Sequence, residues 1–227
     1  MATFKELQLE ADERKLIRKV QRAVAFLLPN DVPLPESLYD GGELIDIKAL
    51  GGKPVGMVTP DGYSFGRDVE TSTVDALGYA SEVREDVVRV ARTVSFTPLE
   101  TGRKHMLELK YGVNLDDVTV DPETGAFQFD EPDMPVNEEY GLIIVGADGP
   151  ASDQWLLGRG YGSVKLSEGG EETWGSENPV GSSITLKILP DDATGTPVRH
   201  YFGGTGVLKH VEEMGFALGA DTGGSGE

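Results

Sequence analysis

Residues 81–117, SEVREDVVRVARTVSFTPLETGRKHMLELKYGVNLDD, carry the strongest local pattern in the chain. Between Asp86 and Phe96 the apolar residues recur at every second position, namely Val88, Val90, Val94 and Phe96. This period predicts a β-strand with one buried face. Arg92 falls on that face, so part of it must reach solvent or a partner.

A helix is predicted directly after this strand, over about residues 98–111. Thr97 is suited to be its N-cap, Pro98 its first residue, and Glu100 the second half of a capping box. Gly112 is placed to end it in a left-handed conformation. One helical face carries Leu99, Met106 and Leu109.

The composition favours a mainly β protein. The 227 residues are enough for one sizeable core, and 30 glycines with 13 prolines indicate many turns. The sequence has no cysteine, which excludes disulfides and thiolate metal sites. It shows no apolar run of about 20 residues, and its charged start is unlike a signal peptide. We therefore expect synthesis in a cytoplasm without export, and no membrane partner.

The chain is strongly acidic. It has 20 Lys and Arg against 39 Asp and Glu, a net charge of −19. Residues 1–28 carry six basic and four acidic residues, so the acidity lies in the rest of the chain. Such a surface repels polyanions and excludes nucleic-acid binding by phosphate neutralisation.

Residues 5–28 have helical apolar spacing, with Arg18 and Arg22 on the polar side, and Pro29 ends the pattern. We expect an amphipathic arm over 1–30 that packs on protein, within or between subunits. The remaining domain boundaries are expected at 31–206 for a β-domain and 207–227 for a C-terminal segment with a flexible end.

Further segments have strand or turn patterns. The predicted strands are Leu44–Leu50 paired as a hairpin with Pro54–Thr59, Tyr63–Phe65, Val118–Val120 paired with Ala126–Phe129, Tyr140–Val145, Trp155–Leu166, Ile184–Ile188 and Pro197–Phe202. Residues 66–80 are polar and are predicted to form a long irregular loop.

The sequence contains no known catalytic constellation. Its three histidines, His105, His200 and His210, are isolated, and the acidic pairs lack the spacing of a calcium loop. We therefore predict a protein that is not an enzyme and has no catalytic, cofactor or metal residues.

Two stretches resemble the major tail tube proteins of long-tailed siphophages, especially those of actinobacteria. The first is DVVRVARTVSFTPLETGRKHMLELKYGVNL, with Phe96-Thr97, Glu100-Thr101 and Tyr111–Leu115 at the family's motif positions. The second is SSITLKILPDDATGTPVRHYFGG, from Ser182 to Gly204. The similarity spans about residues 43–204, and the N-terminal arm departs from the family core.

The resemblance implies an antiparallel β-sandwich or barrel of the phage tail tube type with one flanking α-helix, besides the N-terminal amphipathic helix. Such proteins form homo-hexameric rings that stack into a tube in the virion tail and conduct double-stranded DNA without binding it specifically. The implied partners are tape-measure and tail terminator or tip proteins. Each subunit is expected to lend hairpins to an inner barrel, which closes exposed strand edges.

Two sets of residues become candidates on this basis. For inter-subunit contact they are Arg84, Glu85, Asp86, Arg89, Arg92, Arg18 and Arg22. If the inner hairpins are Leu44–Thr59 and Tyr161–Leu189, the acidic lumen residues are Asp46, Glu168, Glu171 and Glu172. Each of these four is equally compatible with an outward, solvated carboxylate. Loop 66–80 and helix 5–28 are candidates for contact between rings.

Two other functional classes stay open from the sequence. One is a monomeric acidic β-sandwich that serves as a binding or adhesion module of a virion. The other is an enzyme with acidic metal ligands, which the missing motifs make the weaker alternative.

Overall fold

The computed structural model describes residues 3–177 and 179–219. Strands hold 35% of the residues and helices 12%, which confirms the mainly β class. The strands are β1 Arg22–Pro29, β2 Tyr39–Asp40, β3 Glu43–Leu44, β4 Lys53–Pro54, β5 Ser64–Val74, β6 Arg84–Phe96, β7 Glu139–Asp148, β8 Trp155–Gly169, β9 Ile184–Leu189 and β10 Arg199–Gly203. The helices are α1 Phe4–Ala11, α2 Lys104–Tyr111 and α3 Thr205–Lys209, with 3-10 turns at Arg14–Leu16 and Ala151–Asp153.

Eight strands form one large antiparallel sheet. Its order is β4-β1-β7-β8-β9-β6-β5, with β10 paired to β8, and β2 and β3 form a separate two-stranded ladder. By contacts, the chain divides into two compact units. The smaller unit comprises the chain up to Ala23, Val145–Gly158 and the chain from His200, and the larger comprises Val24–Ile144 and Arg159–Arg199.

The hydrophobic core of the larger unit lies on one face of its strands and beneath α2. Val94 and Phe96 of β6 pack there with Leu142, Val164 and other apolar residues, all fully or almost fully buried. Alternation along β9 and at the end of β6 sends every second side chain into this core. The strands predicted from Tyr140, Trp155, Ile184 and Pro197 are confirmed.

Helix α2 packs on the core through Met106 and Leu109, as predicted. It ends at Gly112, whose φ of 61° and ψ of 39° place it in the left-handed region. A Cβ there would lie 2.6 Å from Cβ of Pro135, so both conformation and space favour glycine.

The predicted start of this helix is wrong. The helix begins at Lys104, and Arg103, not Thr97, is its N-cap. The Glu100 carboxylate instead accepts a hydrogen bond from the backbone N–H of Met57 at 2.8 Å and one from Nε of Arg103 at 2.7 Å. The capping box predicted from sequence neighbours does not form, because a backbone N–H distant in sequence competes for the same carboxylate.

The helix predicted over 5–28 is also wrong beyond its first turns. Only Phe4–Ala11 is α-helical, and Arg22–Pro29 is strand β1. Ala25, Leu27 and Leu28 are buried in it, and the carbonyl of Ala25 accepts from the N–H of Val55 at 2.9 Å. The continuous apolar run suits a strand buried on both sides, which local periodicity does not separate from a helix.

Three loop and hairpin predictions change as well. Residues 66–80 are not a long loop, because most of them belong to β5. The hairpin Leu44–Thr59 does not form: Leu44 pairs with Tyr39, and Lys53–Pro54 pair with β1. Between Val118 and Phe129 the turn closes, with a 2.8 Å bond from Gly125 N–H to Asp121 O, but no strands flank it.

The acid stability of the fold should depend on Glu100. Its hydrogen bonds from Met57 and Arg103 lower the pKa of this carboxyl below its ordinary value. A lowered folded-state pKa stabilises the protein above the unfolded-state pKa, and this contribution is lost as the pH falls through the folded-state pKa. We therefore expect Glu100→Gln to destabilise the protein at neutral pH and to flatten the loss of stability between about pH 5 and about pH 3.

Urea unfolding across this pH range measures the effect. Glu36→Gln, at an exposed carboxylate, is the matched control and should follow the wild-type curve. Equal pH dependence in Glu100→Gln and wild type would contradict the assigned role of the carboxylate.

Candidate assembly surface

Strands β5 and β6 form a long hairpin with little cover. They pair from Ser64↔Ser95 to Val74↔Arg84, with a β-bulge at Glu70/Thr71 that leaves Val88 unpaired. On its other edge β6 pairs with β9 only through Thr93–Phe96. From Arg84 to Arg92, the hydrogen-bonded partner of β6 is therefore β5.

Burial falls steeply along this hairpin. Val94 and Phe96 are buried, whereas Val87 and Val88 are 63% and 64% exposed. Every residue of β5 is exposed. The apolar face of the sheet therefore continues beyond the core as a bare surface, which in soluble proteins marks an interaction site.

Five of the predicted contact residues lie on this hairpin. Arg84 forms a local ion pair with Asp86, Nε to Oδ2 at 2.6 Å, and Glu85 is exposed. Arg89 stands opposite Glu70 in the ladder, and Arg92 stands opposite Arg67. The structure thus places these residues on one strand, and their role in contact stays a prediction.

The two remaining basic candidates lie elsewhere. Arg22 is exposed at the start of β1. In the smaller unit, the guanidinium of Arg18 lies 4.2 Å from the ring centroid of Trp155, and its Nη1 lies 3.7 Å from Oδ2 of Asp148. Trp155 stacks in turn on His210. Arg18 is therefore engaged within its own chain.

The open face of the sheet opposite the core is polar and mixed in charge. Lys165 and Lys187 are direct neighbours across β8 and β9. The hydroxyls of Ser95 and Thr185 lie 3.0 Å apart, and Glu168 pairs with Thr185 in the ladder. The predicted hairpin Tyr161–Leu189 is thereby confirmed as a strand pair, and Glu168 lies on its open face.

The other acidic candidates have different surroundings. Asp46 is exposed and accepts from the N–H of Lys48 at 2.9 Å. Glu171 is exposed, while Glu172 is half-buried and bonded to Lys110. The hydrogen bond from Lys110 lowers the pKa of Glu172.

Sequence reasoning missed strand β5, which creates the surface. The available signal was its β-branched content, with Val69, Thr71, Thr73 and Val74 in one short run. Its polar residues suggested a loop, because a strand exposed on both faces has no apolar alternation to detect.

The histidines and carboxylates are the side chains that could hold a metal ion within residues 3–177 and 179–219. No group of three or more potential metal ligands occurs there. Burial lowers the pKa of His105, whose Nε2 lies 2.8 Å from the carbonyl of Pro54.

Within residues 3–177 and 179–219 no helix is long and apolar enough to cross a membrane.

Comparisons with known proteins found distant structural likenesses. One is to a chain of the PVC sheath–tube complex of an extracellular contractile injection system, with 9% identity, a TM-score of 0.42, and coverage of 90% of this chain and 99% of that chain. Another is to the sheath/tube terminator of the same system, with 10% identity, a TM-score of 0.43, and coverage of 85% and 100%.

A third likeness is to a chain of the anti-feeding prophage baseplate, with 11% identity, a TM-score of 0.42, and coverage of 83% and 97%. No family model matches the sequence, and no curated protein matches it significantly. Likenesses at these TM-scores do not assign the chain to a family.

Arg18 should contribute to stability rather than to assembly. Replacing it by Met keeps most of the side-chain length but removes the cation–π contact with Trp155 and the ion pair with Asp148. We expect the free energy of unfolding to fall by about 1–2 kcal/mol. Arg14→Met, at an exposed arginine nearby, is the control for chemical denaturation, and an equal loss in both variants would contradict this role.

Proposed function

We propose that this protein is a structural subunit of a phage tail tube, whose copies form hexameric rings that stack around a channel for double-stranded DNA. The observation that carries the proposal is the β5–β6 hairpin. It extends the apolar face of the sheet past the core and leaves Val69, Val87 and Val88 exposed. A subunit that completes its burial against neighbouring copies accounts for such a surface.

The sheet edge supports the same proposal. β5 is the last strand of the sheet, and it has 11 residues. A long edge strand with free N–H and C=O groups promotes uncontrolled pairing unless it is covered or paired. Pairing within a closed ring of identical subunits satisfies this edge and limits the assembly to a defined number of copies.

The resemblance to siphophage tail tube proteins supplies the role of that assembly. Its motif positions include Gly112, which ends α2, and Leu115, which is buried. Under this proposal the protein resides in the virion tail, and its partners are a tape-measure protein and terminator or tip proteins.

The charge of the chain suits a channel for DNA. With a net charge of −19, the protein repels phosphate, so DNA passes without specific binding. We propose that Glu168, on the open face of the sheet, lines this channel, and Asp46, Glu171 and Glu172 stay as predicted lumen or rim residues. Lys165 and Lys187 on that open face make its charge mixed rather than purely acidic.

Electron microscopy of the purified protein tests the function directly. We expect rings or tubes from the wild type, and their loss in Val69→Ser/Val87→Ser, because this change removes apolar area from the bare hairpin. The melting temperature should change little, since both side chains are exposed. Leu44→Ser, at an exposed leucine outside the hairpin, is the matched control and should assemble normally.

A wild type that stays monomeric at all concentrations would overturn the proposed function and favour a monomeric binding or adhesion module. Normal tubes from the Val69→Ser/Val87→Ser variant would show instead that the hairpin is not the contact.

The N-terminal arm provides a second test. None of the residues of α1 is buried, and Phe4 and Leu9 are 81% and 69% exposed. Removing residues 1–12 should therefore leave the subunit folded but weaken the stacking of rings, visible as shorter tubes or free rings in micrographs. Tubes of unchanged length after this deletion would exclude α1 from the contact between rings.

A further inference from the structure

Two arginines oppose each other in the ladder of the bare hairpin. Arg67 and Arg92 are direct partners across β5 and β6. Like charges directly opposite each other destabilise the ladder. Neither side chain forms an ion pair within residues 3–177 and 179–219. Within those residues the two guanidinium groups therefore have no carboxylate that neutralises them.

Apolar side chains flank the arginine pair on the same side of the hairpin. Val69 and Val90 are the next pair on that face, and Val87 follows beyond the bulge. Val94 comes two residues after Arg92 on β6, so it points to the same side, and it is buried in the core. This side is therefore the core side of the sheet. We name the surface formed by Arg67, Val69, Val87, Val90 and Arg92 the arginine–valine face. Its chemistry requires a partner that is both acidic and apolar.

Such a partner surface exists at the C-terminal end of α2. Residues 130–135 form a loop fixed at both ends. The ring of Phe129 lies 5.5 Å from that of Tyr111, and the N–H of Val136 donates to the carbonyl of Gly112 at 3.1 Å. Fixed ends and two prolines lower the entropy that the loop loses on binding.

This loop is acidic and carries an exposed apolar side chain. Asp130, Glu131 and Asp133 are exposed and form no ion pair within residues 3–177 and 179–219. Met134 is 85% exposed. The loop therefore presents three carboxylates around a flexible thioether, the chemistry that the arginine–valine face lacks.

An exposed tryptophan lies beside the same helix end. Glu172 is bonded to Lys110, the residue before Tyr111, and accepts from Nε1 of Trp174 at 2.5 Å. The indole is thus held in place while Trp174 stays 81% exposed. Tryptophan and arginine are the residues most enriched at binding hot spots, and they attract each other by cation–π contact. We name residues 130–135 together with Trp174 the acidic knob.

The two surfaces lie at opposite ends of β6. Phe96 pairs with Ile184, so the loop between β8 and β9, which contains Trp174, lies at the Phe96 end. The arginine–valine face extends toward Arg84, at the other end of a strand of 13 residues, about 40 Å long. Because the acidic knob and the arginine–valine face lie at opposite ends of β6, they can join two copies of the chain head to tail.

We propose that the acidic knob of one copy docks on the arginine–valine face of a second copy, with its carboxylates on Arg67 and Arg92 and with Met134 and Trp174 on the valines. The occupant is a second copy because this chain carries both complementary surfaces. The contact is heterologous, so it repeats from copy to copy and closes a ring or extends a stack. The inference rests on the proposed function for its biological setting.

Charge reversal with rescue tests the contact in the full-length protein. We expect Arg67→Glu/Arg92→Glu and Glu131→Lys/Asp133→Lys each to weaken self-association by about tenfold or more in sedimentation velocity. The combined four-residue exchange should restore it, because the pairs are then reversed but still complementary. Wild-type association should weaken as salt is added.

A mixing experiment distinguishes loss of the contact from loss of folding, because misfolded variants would not associate when they are mixed. The Arg67→Glu/Arg92→Glu variant keeps an intact acidic knob. The Glu131→Lys/Asp133→Lys variant keeps an intact arginine–valine face. In an equimolar mixture every knob meets a face of opposite charge, so the two variants should associate as alternating copies, while each variant alone associates much less than wild type. Lys48→Glu/Lys53→Glu and Glu36→Lys/Glu43→Lys make the same charge changes at exposed positions elsewhere and should associate like wild type.

Folding is checked by thermal melting. Arg92→Gln removes one of two like charges, so it should preserve or raise the melting temperature while it still weakens association. Unchanged association in the reversal variants, or no rescue in the combined exchange, would overturn the contact. Association with this charge pattern but without rings or tubes in micrographs would uphold the contact and overturn the proposed function instead.

Discussion

The length of strand β6 relative to its neighbour β9 is the constraint on which the rest of the structure depends. Ladder bonds to β9 end at Thr93, yet β6 continues to Arg84 with β5 as its partner. A two-stranded ribbon buries little and is marginally stable by itself in water. The chain therefore carries an element whose apolar residues are incompletely buried, and under the proposed function association with other copies would bury them.

The pairing of the basic residues differs between α2 and the β5–β6 hairpin. Basic residues are outnumbered by acidic ones, 20 to 39, and several of them form ion pairs within the chain. Lys104 is paired with Asp116 and Lys110 with Glu172. Arg67 and Arg92 instead face each other on a bare ribbon. This arrangement costs stability in the isolated chain, and the proposed contact with the acidic knob would offset that cost.

The C-terminal end of α2 organises the opposite end of the same strands. Gly112 adopts a conformation and a closeness to Pro135 that a side chain would prevent. Tyr111 and Lys110, the two residues before it, fix Phe129 and Glu172. Three consecutive residues thus hold two loops that are exposed and acidic. Rigid loops of this kind lose little conformational entropy when they bind.

Much of the β-structure followed from the sequence because it depends on local alternation. The strands around Val94, Leu142, Val164 and Leu186 each bury one face, or both, and the resulting pattern is visible in the residues themselves. The left-handed end of α2 at Gly112 was predictable for the same reason, since a glycine after a helical pattern is a local signal. The cluster of charges on β6 that forms the candidate site was also visible in the sequence.

The sequence by itself determined the mainly β class, the strand that carries the candidate contact residues, and the acidity that repels DNA. Only the tertiary structure decided that residues 64–74 pair with β6, that residues 22–29 are a strand, and that Glu100 bonds to Met57. These features depend on backbone hydrogen bonds and carboxylate contacts between residues distant in the chain. A period in the sequence records which side chains are buried, but not which distant strand supplies the bonds.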